Sequence, residues 1–244
     1  MLRWQVLSAP FRCALAVSLG VVALGLAGCS DATAPSETRQ LDFDFRADPS
    51  GWTADFTDFP EGRAADVGFE AGVRSLPDPL EGSSLFHRGN NFSDDLFMYF
   101  KHRIEGLEPE ARYRARFEVS FASDEGEDCG VGKAPNVVVK AGAAATEPSR
   151  VVDEDGIVRL SVDKGSQRNS GENALVLGDI RNGEPGCGEE VPFAEETVSV
   201  EETISVSADG DGRLWLLLGT ESAFEVAHQL HFTELRVTLE RVGG

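Results

Sequence analysis

Apolar and polar positions alternate with a period of two along most of this chain from Leu41 onward. In Tyr113-Arg-Ala-Arg-Phe-Glu-Val-Ser-Phe121 the odd positions are apolar and the even ones are Arg114, Arg116, Glu118 and Ser120. Such a segment presents one face to a core and the other to water, as in an antiparallel sheet. Shorter runs of the same kind occupy Leu41–Phe45, Trp52–Phe59, Leu96–Ile104, Asn136–Ala141, Ile157–Val162, Ala174–Ile180, Val198–Val206, Leu214–Gly219 and Leu230–Leu239. Turn chemistry separates them at Asp48-Pro-Ser-Gly51, Arg88-Gly-Asn-Asn91, Asp153-Glu-Asp-Gly156, Asn182-Gly183 and Asp209-Gly-Asp-Gly212. About ten strands without a long helical period predict an all-β fold, an antiparallel β-sandwich of jelly-roll type, as one domain over residues 41–244.

Two departures from strict alternation carry information. Leu230 and Phe232 share one phase, whereas Leu235, Val237 and Leu239 fall on the other. One extra residue near Thr233-Glu234 brings both sets to the same side, so a β-bulge is predicted there. Leu214-Trp-Leu-Leu-Leu218 does not alternate and reads as a strand buried on both faces, with Trp215 in the core.

The N-terminus is of another kind. A short basic start containing Arg3 and Arg12 leads into Cys13–Leu26, fourteen residues without charge. That is the length of a signal-peptide core and short of the roughly 20 residues a spanning helix needs. Leu26-Ala27-Gly28-Cys29 then resembles the lipobox of bacterial lipoproteins. The resemblance implies that residues 1–28 are an export signal and that Cys29 is lipidated and becomes the new N-terminus. Two or three acyl chains on one residue hold a protein to a bilayer, since each buried methylene contributes roughly 0.8 kcal/mol. Residues 29–40 read as the lipidated cysteine and a flexible polar tether. Ser30, where an aspartate usually marks retention at the inner membrane, favours the outer membrane within the cell envelope.

Charge and cysteine usage narrow the partners. The net charge is −20, and loss of Arg3 and Arg12 with the signal takes it to −22. An acidic surface repels phosphate backbones, which excludes nucleic acid. Only four lysines occur, Lys101, Lys133, Lys140 and Lys164. Cys129 and Cys187 are the cysteines left once Cys13 departs and Cys29 is lipidated. They lie in glycine-rich loops of an exported chain, so a disulfide between them is predicted.

Asn90, Asn91, Ser93, Asp94 and Asp95 form the densest polar cluster beside an apolar strand. Oxygen-rich loop side chains of this kind bind sugar hydroxyls or calcium, and also build Asx turns. HExxH, GxSxG and phosphate-cradling glycine loops are absent. Ser161-Val-Asp-Lys164 has SxxK spacing but follows a strand, whereas that catalytic motif opens a helix. The expectation is therefore a protein without catalytic activity.

Phe43-Asp-Phe45 with Gly51-Trp52, and the closing Leu230-His-Phe-Thr-Glu-Leu-Arg-Val237, resemble the first and last strands of carbohydrate-binding-module jelly rolls, which pair their terminal strands. That likeness implies a glycan partner, and a structural calcium held by Asp42, Asp44 and Glu234. Gly89-Asn-Asn91, Ser93–Met98, Lys140-Ala-Gly-Ala143, Asp163-Lys-Gly165 and Gly219-Thr-Glu-Ser222 resemble a family of uncharacterised bacterial exported proteins. The function expected is a lipid-anchored envelope protein binding a glycan or other ligand. The alternatives are a structural partner of another envelope protein and a glycan-directed hydrolase.

Overall fold

The computed structural model describes residues 37–130, 132–188 and 190–243. The export signal, Cys29 and most of the tether lie outside the described residues. Among the described residues fifteen strands run in chain order. They are β1 (Thr38–Asp44), β2 (Thr53–Thr57), β3 (Phe59–Pro60), β4 (Glu70–Ser75), β5 (Ser83–Asn90), β6 (Leu96–Ile104), β7 (Arg112–Ser123) and β8 (Val137–Ala144). There follow β9 (Arg150–Val152), β10 (Ile157–Leu160), β11 (Ala174–Asp179), β12 (Ala194–Ser199), β13 (Ile204–Ser207), β14 (Leu214–Ser222) and β15 (Ala227–Arg241). A single helical turn, α1 (Ala64–Val67), is the α-helix among them.

The strands make an antiparallel β-sandwich. One sheet orders β12-β7-β15-β5-β4, with β13 extending the β12 edge of β7 and β1 completing the β5 side of β15. The other orders β11-β8-β14-β6-β2, and a small third sheet orders β3-β10-β9. The alternation read from Tyr113 to Phe121 now has its cause: Tyr113, Ala115, Phe117, Val119 and Phe121 all enter the core between the two large sheets. Facing them are Val137, Val139, Ala141 and Ala143 of β8, with Leu214, Leu216 and Leu218 of β14.

The terminal strands pair, Thr38 opposite Glu240 through Asp44 opposite Glu234. The strand thus starts at Thr38, three residues inside the segment expected to be tether. The bulge is where the phase change put it: the β15–β7 register shifts between Phe232 and Glu234. There β15 exchanges β5 for β1 as its neighbour. Leu230 and Phe232 before the shift, and Leu235, Val237 and Leu239 after it, reach the same core. Cys129 and Cys187 are joined, with Cα atoms 5.0 Å apart. A link across 58 residues stabilises by roughly 4 kcal/mol in the chain-entropy picture.

Three expectations need correction. Arg88-Gly-Asn90 is the end of β5 rather than a turn. Leu85, Phe86 and His87 of that strand are all buried, so the segment shows no alternation to detect. The run Val198–Val206 is two strands, β12 and β13, broken between Ser199 and Ile204. Trp215 is half-buried on the outer face of its sheet, where the Lys101 ammonium stands 5.6 Å from its ring centre. It packs there because Leu214 and Leu216 take the inward positions on either side of it.

A third layer positions the site. On the outer face of the five-stranded sheet, Phe97, Tyr99, Ala174 and Leu217 pack under Leu160 and Val162. The segment 161–173 folds back across this face as a tight loop. The Asp163 carboxylate accepts hydrogen bonds from the Gly165 N–H (2.8 Å) and the Glu172 N–H (2.9 Å). Gly165 is left-handed (φ +76°), and a β-carbon there would stand 2.2 Å from the Asn169 carbonyl oxygen, so the loop needs glycine at this position.

Candidate functional site

Under that loop lies a cluster of buried charge. On β14, whose even positions point into the core, Glu221 points outward and is wholly buried. Each of its oxygens contacts a lysine, Lys140 of β8 on one side and Lys164 of the loop on the other. The Lys140 ammonium also donates to the carbonyl oxygens of Lys164 and Asn169, both at 2.9 Å. Lys164 reaches Asp58 at 3.2 Å, and the Gln167 N–H donates to Glu221 at 2.8 Å. Lys140, Lys164 and Glu221 thus fasten the loop to the sheet. Burying such ions is tolerated only where their bonding is nearly complete, as it is here.

Asp58 stands between β2 and β3 in a left-handed conformation (φ +70°). Its carboxylate accepts from Thr57 Oγ1 at 3.0 Å and from Arg159 Nη1 at 2.9 Å. Arg159 of β10 is further held by Asp153, at 3.0 Å. Asp95 completes the group. Its Oδ2 lies 3.6 Å from Arg159, and its Oδ1 is buried without a hydrogen-bond partner. Carboxylate oxygens of Asp58, Asp95 and Glu221 lie within 4.8 Å of one another.

Burial, then the like charges of Asp58 and Glu221, and a hydrogen bond shared with the Glu221 carboxylate push the Asp95 carboxyl up to about 8, against the pull of Lys164. Burial lowers Lys140 despite the nearby Glu221. At Lys164 burial acts in the same sense, but the carboxylates of Glu221, Asp58 and Asp95 outweigh it and the ammonium is raised. Above the cluster opens a cleft of about 370 Å³, lined by Asp58, Asp95, Arg159, Leu160, Val162 and residues 163–166.

The residues expected at the site divide. Of the predicted loop, Asp95 lines the cleft. Asn91 is buried, its amide donating to the carbonyls of Ser222 (2.9 Å) and Phe224 (3.1 Å). Ser93 donates to the carbonyls of Asp58 and Asp95, at 3.2 and 3.1 Å. Asn91 and Ser93 therefore build the turn that presents Asp95. Asn90 and Asp94 are exposed, and neither lines the cleft. Asp42, Asp44 and Glu234 are not brought together as a calcium ligand set. Arg236 takes the middle of that surface, 2.8 Å from Asp42, 3.0 Å from Glu234 and paired with Glu118, while Asp44 accepts from the Arg46 N–H. The cation of that patch is the chain's own guanidinium.

Sequence reasoning missed Lys140, Lys164, Glu221, Asp58 and Arg159 as a group. Three of the motifs singled out, Lys140–Ala143, Asp163–Gly165 and Gly219–Ser222, meet here. The signal available was that two of four lysines lie within such motifs in a lysine-poor chain.

No family model matches the chain, and no curated protein does. Among solved structures it is similar to β-sandwich domains. One is the K1 cleaved adhesin domain of Lys-gingipain from Porphyromonas gingivalis, at 9% identity over 82% of this chain and 97% of that one, TM-score 0.35. Another is the family 11 carbohydrate-binding module of a cellulosomal cellulase of Clostridium thermocellum, at 7% identity over 84% and 95%, TM-score 0.35. A third is a family 61 module in complex with β-1,4-galactotriose, at 8% identity over 77% and 88%, TM-score 0.32. Likeness at this level assigns no function, which has to come from the cleft itself.

Proposed function

We propose that this protein is a lipid-anchored module of the bacterial cell envelope that binds a glycan in the cleft beside Asp95 without acting on it. Sugar hydroxyls both donate and accept, and the cleft offers both kinds of partner. The Arg159 guanidinium, 42% exposed, is a donor, and the carboxyls of Asp95 and Asp163 line the same space. The observation that carries the reading is the pairing, on the wall of one polar cleft, of a partly exposed guanidinium donor, Arg159, with a partly exposed carboxyl, Asp95, 3.6 Å away.

The same geometry favours binding over hydrolysis. Cleaving a glycosidic bond takes two carboxyl groups that both reach the sugar, one on each side of the bond. Of the three acids here, Glu221 is inaccessible and committed to two lysines, and Asp58 is 2% exposed and held by Arg159 and Lys164. Asp163 also lines the cleft, but its two oxygens accept the N–H groups of Gly165 and Glu172 and hold the loop, which leaves Asp95 as the acid placed to meet a substrate.

A glycan array probed with the domain from residue 30 onward tests the reading. Binding to defined saccharides is expected, abolished by Arg159→Ala in a variant that melts at a lower temperature but is still folded by circular dichroism at the assay temperature. Failure to retain any saccharide removes it, and an envelope protein captured instead favours the structural alternative. The anchor has a separate test. Cys29→Ser is expected to leave the protein extractable without detergent, and unchanged partition into the membrane fraction removes the lipid from the proposal.

A further inference from the structure

Lys140, Glu221 and Asp95 lie in a diagonal row across three neighbouring strands, on the outer face of the five-stranded sheet. On β8 and β14 Lys140 stands opposite Gly219, two residues before Glu221. On the other side of β14, Glu221 stands opposite Phe97 of β6, two residues after Asp95. Residues two apart on a strand share a face, so the register alone assembles an amine, a carboxylate and a second carboxyl. Lys140 and Glu221 are wholly buried and in contact. Two N–H groups of the Lys140 ammonium are spent on the carbonyls of Lys164 and Asn169, which fix the nitrogen in place. Its contact with Glu221 is not aligned as a hydrogen bond: Oε2 touches the ammonium and still has no hydrogen-bond partner. Lys164 differs, since it donates to Oε1 in hydrogen-bond geometry and is shared with Asp58.

We infer that Lys140 and Glu221 condense within the folded chain to an isopeptide bond, which staples β8 to β14 beneath the loop at 161–173. The ion pair is the form that folding delivers, and the amide is a slower product of it. Two charges without solvent are replaced by one neutral group, which burial favours. Fixing amine and carboxyl in contact supplies an effective concentration of roughly 10⁵–10⁸ M. Oε2, the oxygen without a hydrogen bond, is the one that leaves. Oε1 stays as the amide oxygen and keeps the Lys164 ammonium and the Gln167 N–H as donors. The reaction does not depend on what the cleft binds.

The step balances without a co-reactant. One proton passes from Lys140 Nζ to the Glu221 carboxylate, leaving a neutral amine and a neutral acid. Burial already lowers this ammonium. The nitrogen lone pair then bonds to Cδ, and a second proton passes from nitrogen to oxygen, so that Cδ carries two hydroxyls. One hydroxyl takes the proton of the other and departs as water with the electron pair of its C–O bond. Nothing is oxidised or reduced. Asp95 is placed to relay these protons, because its carboxyl shares a hydrogen bond with Glu221 and, raised to about 8, carries a proton at neutral pH.

The test is mass spectrometry of tryptic peptides from the full chain, purified in mild detergent, then reduced and denatured. It is run on fresh protein and after prolonged incubation of the folded protein at neutral pH. Cleavage after lysine and arginine places Glu221 in the peptide 214–236, and a Lys140 that is acylated resists cleavage and stays within 134–150. The expected product is a branched peptide of these two, lighter than their sum by one water and growing with incubation. Lys140→Arg, which keeps the charge, is expected to give no branch. Asp95→Asn is expected to slow its appearance about 100-fold, and an unchanged rate removes Asp95 from the step. Complete cleavage after Lys140 in both fresh and incubated protein overturns the inference. A branch that joins Glu221 to Lys164 overturns the choice of lysine.

Discussion

Thr220 and Glu221 are neighbours on β14, yet they anchor polar clusters of opposite character on the two faces of one sheet. Thr220 points between the sheets, its hydroxyl 3.0 Å from His87 Nε2 and 3.0 Å from His228 Nε2. Burial lowers His87 well below the ordinary histidine value and takes His228 to about 3, so both rings are neutral. Glu221 points outward into a network of ion pairs with Lys140 and Lys164. The inner site has Phe100 and Phe232 packed on His87 and no counter-ion to offer, so neutrality is the economical state. The outer site has two lysines, an arginine and loop carbonyls converging on it, so charge is sustained. Burial alone does not decide whether a polar group keeps its charge; what decides is whether the surrounding groups can supply counter-ions and hydrogen-bond partners.

The largest effect that separates the two comes from removing each anchor. Glu221→Gln leaves Lys140 and Lys164 buried without their shared carboxylate, and a loss of about 3–5 kcal/mol is expected in urea unfolding. Thr220→Val leaves His87 and His228 each short of one hydrogen bond, and about 1–3 kcal/mol is expected. Equal costs for the two substitutions would break the distinction between an ionic and a neutral cluster.

How far each cluster was legible in the sequence follows from the same geometry. Alternation located the core strands, the phase change in Leu230–Leu239 located the bulge, and loop context paired Cys129 with Cys187. All of these are local patterns. β5 escaped because Leu85, Phe86 and His87 are buried together and so resemble no half-buried strand. Lys140 escaped for the opposite reason. It falls at an outward position between Val139 and Ala141, where a lysine normally meets water. What covers it is the loop at 161–173, and nothing periodic in Ser161–Asn173 announces a third layer. Asp95 was named in the sequence only as one member of a polar run. Asn91 and Ser93, chemically alike in sequence, proved to be the support for the turn, because a run of polar residues does not say which members face a cleft.

A second way to sharpen the comparison is acid. A histidine lowered by burial binds its proton less readily folded than unfolded, so its contribution to stability is complete above the unfolded value of about 6.5 and is lost on acidification. His231, lowered to about 4 by burial and then by Arg74, acts in the same sense as His87 and His228. The melting temperature is expected to fall steeply from about pH 6.5 toward pH 4. Replacing His228 by Gln, which can still bond to Thr220, is expected to flatten that limb. A limb unchanged by this substitution would move the acid sensitivity out of the inner cluster.

The smallest effect expected has the opposite sign and belongs to the outer cluster. Asp95 is raised from 3.8 to about 8, so between those values the folded chain holds a proton that the unfolded chain has released. Stability then declines as pH rises through that window and levels off above about 8. Asp95→Asn removes this titration while keeping the shape of the side chain. The variant is expected to match the parent near pH 4 and to melt at a higher temperature at pH 9, a gain confined to the alkaline side. A difference in melting temperature independent of pH would mean that Asp95 is ionised throughout, its charge balanced by Arg159 despite the 3.6 Å between them.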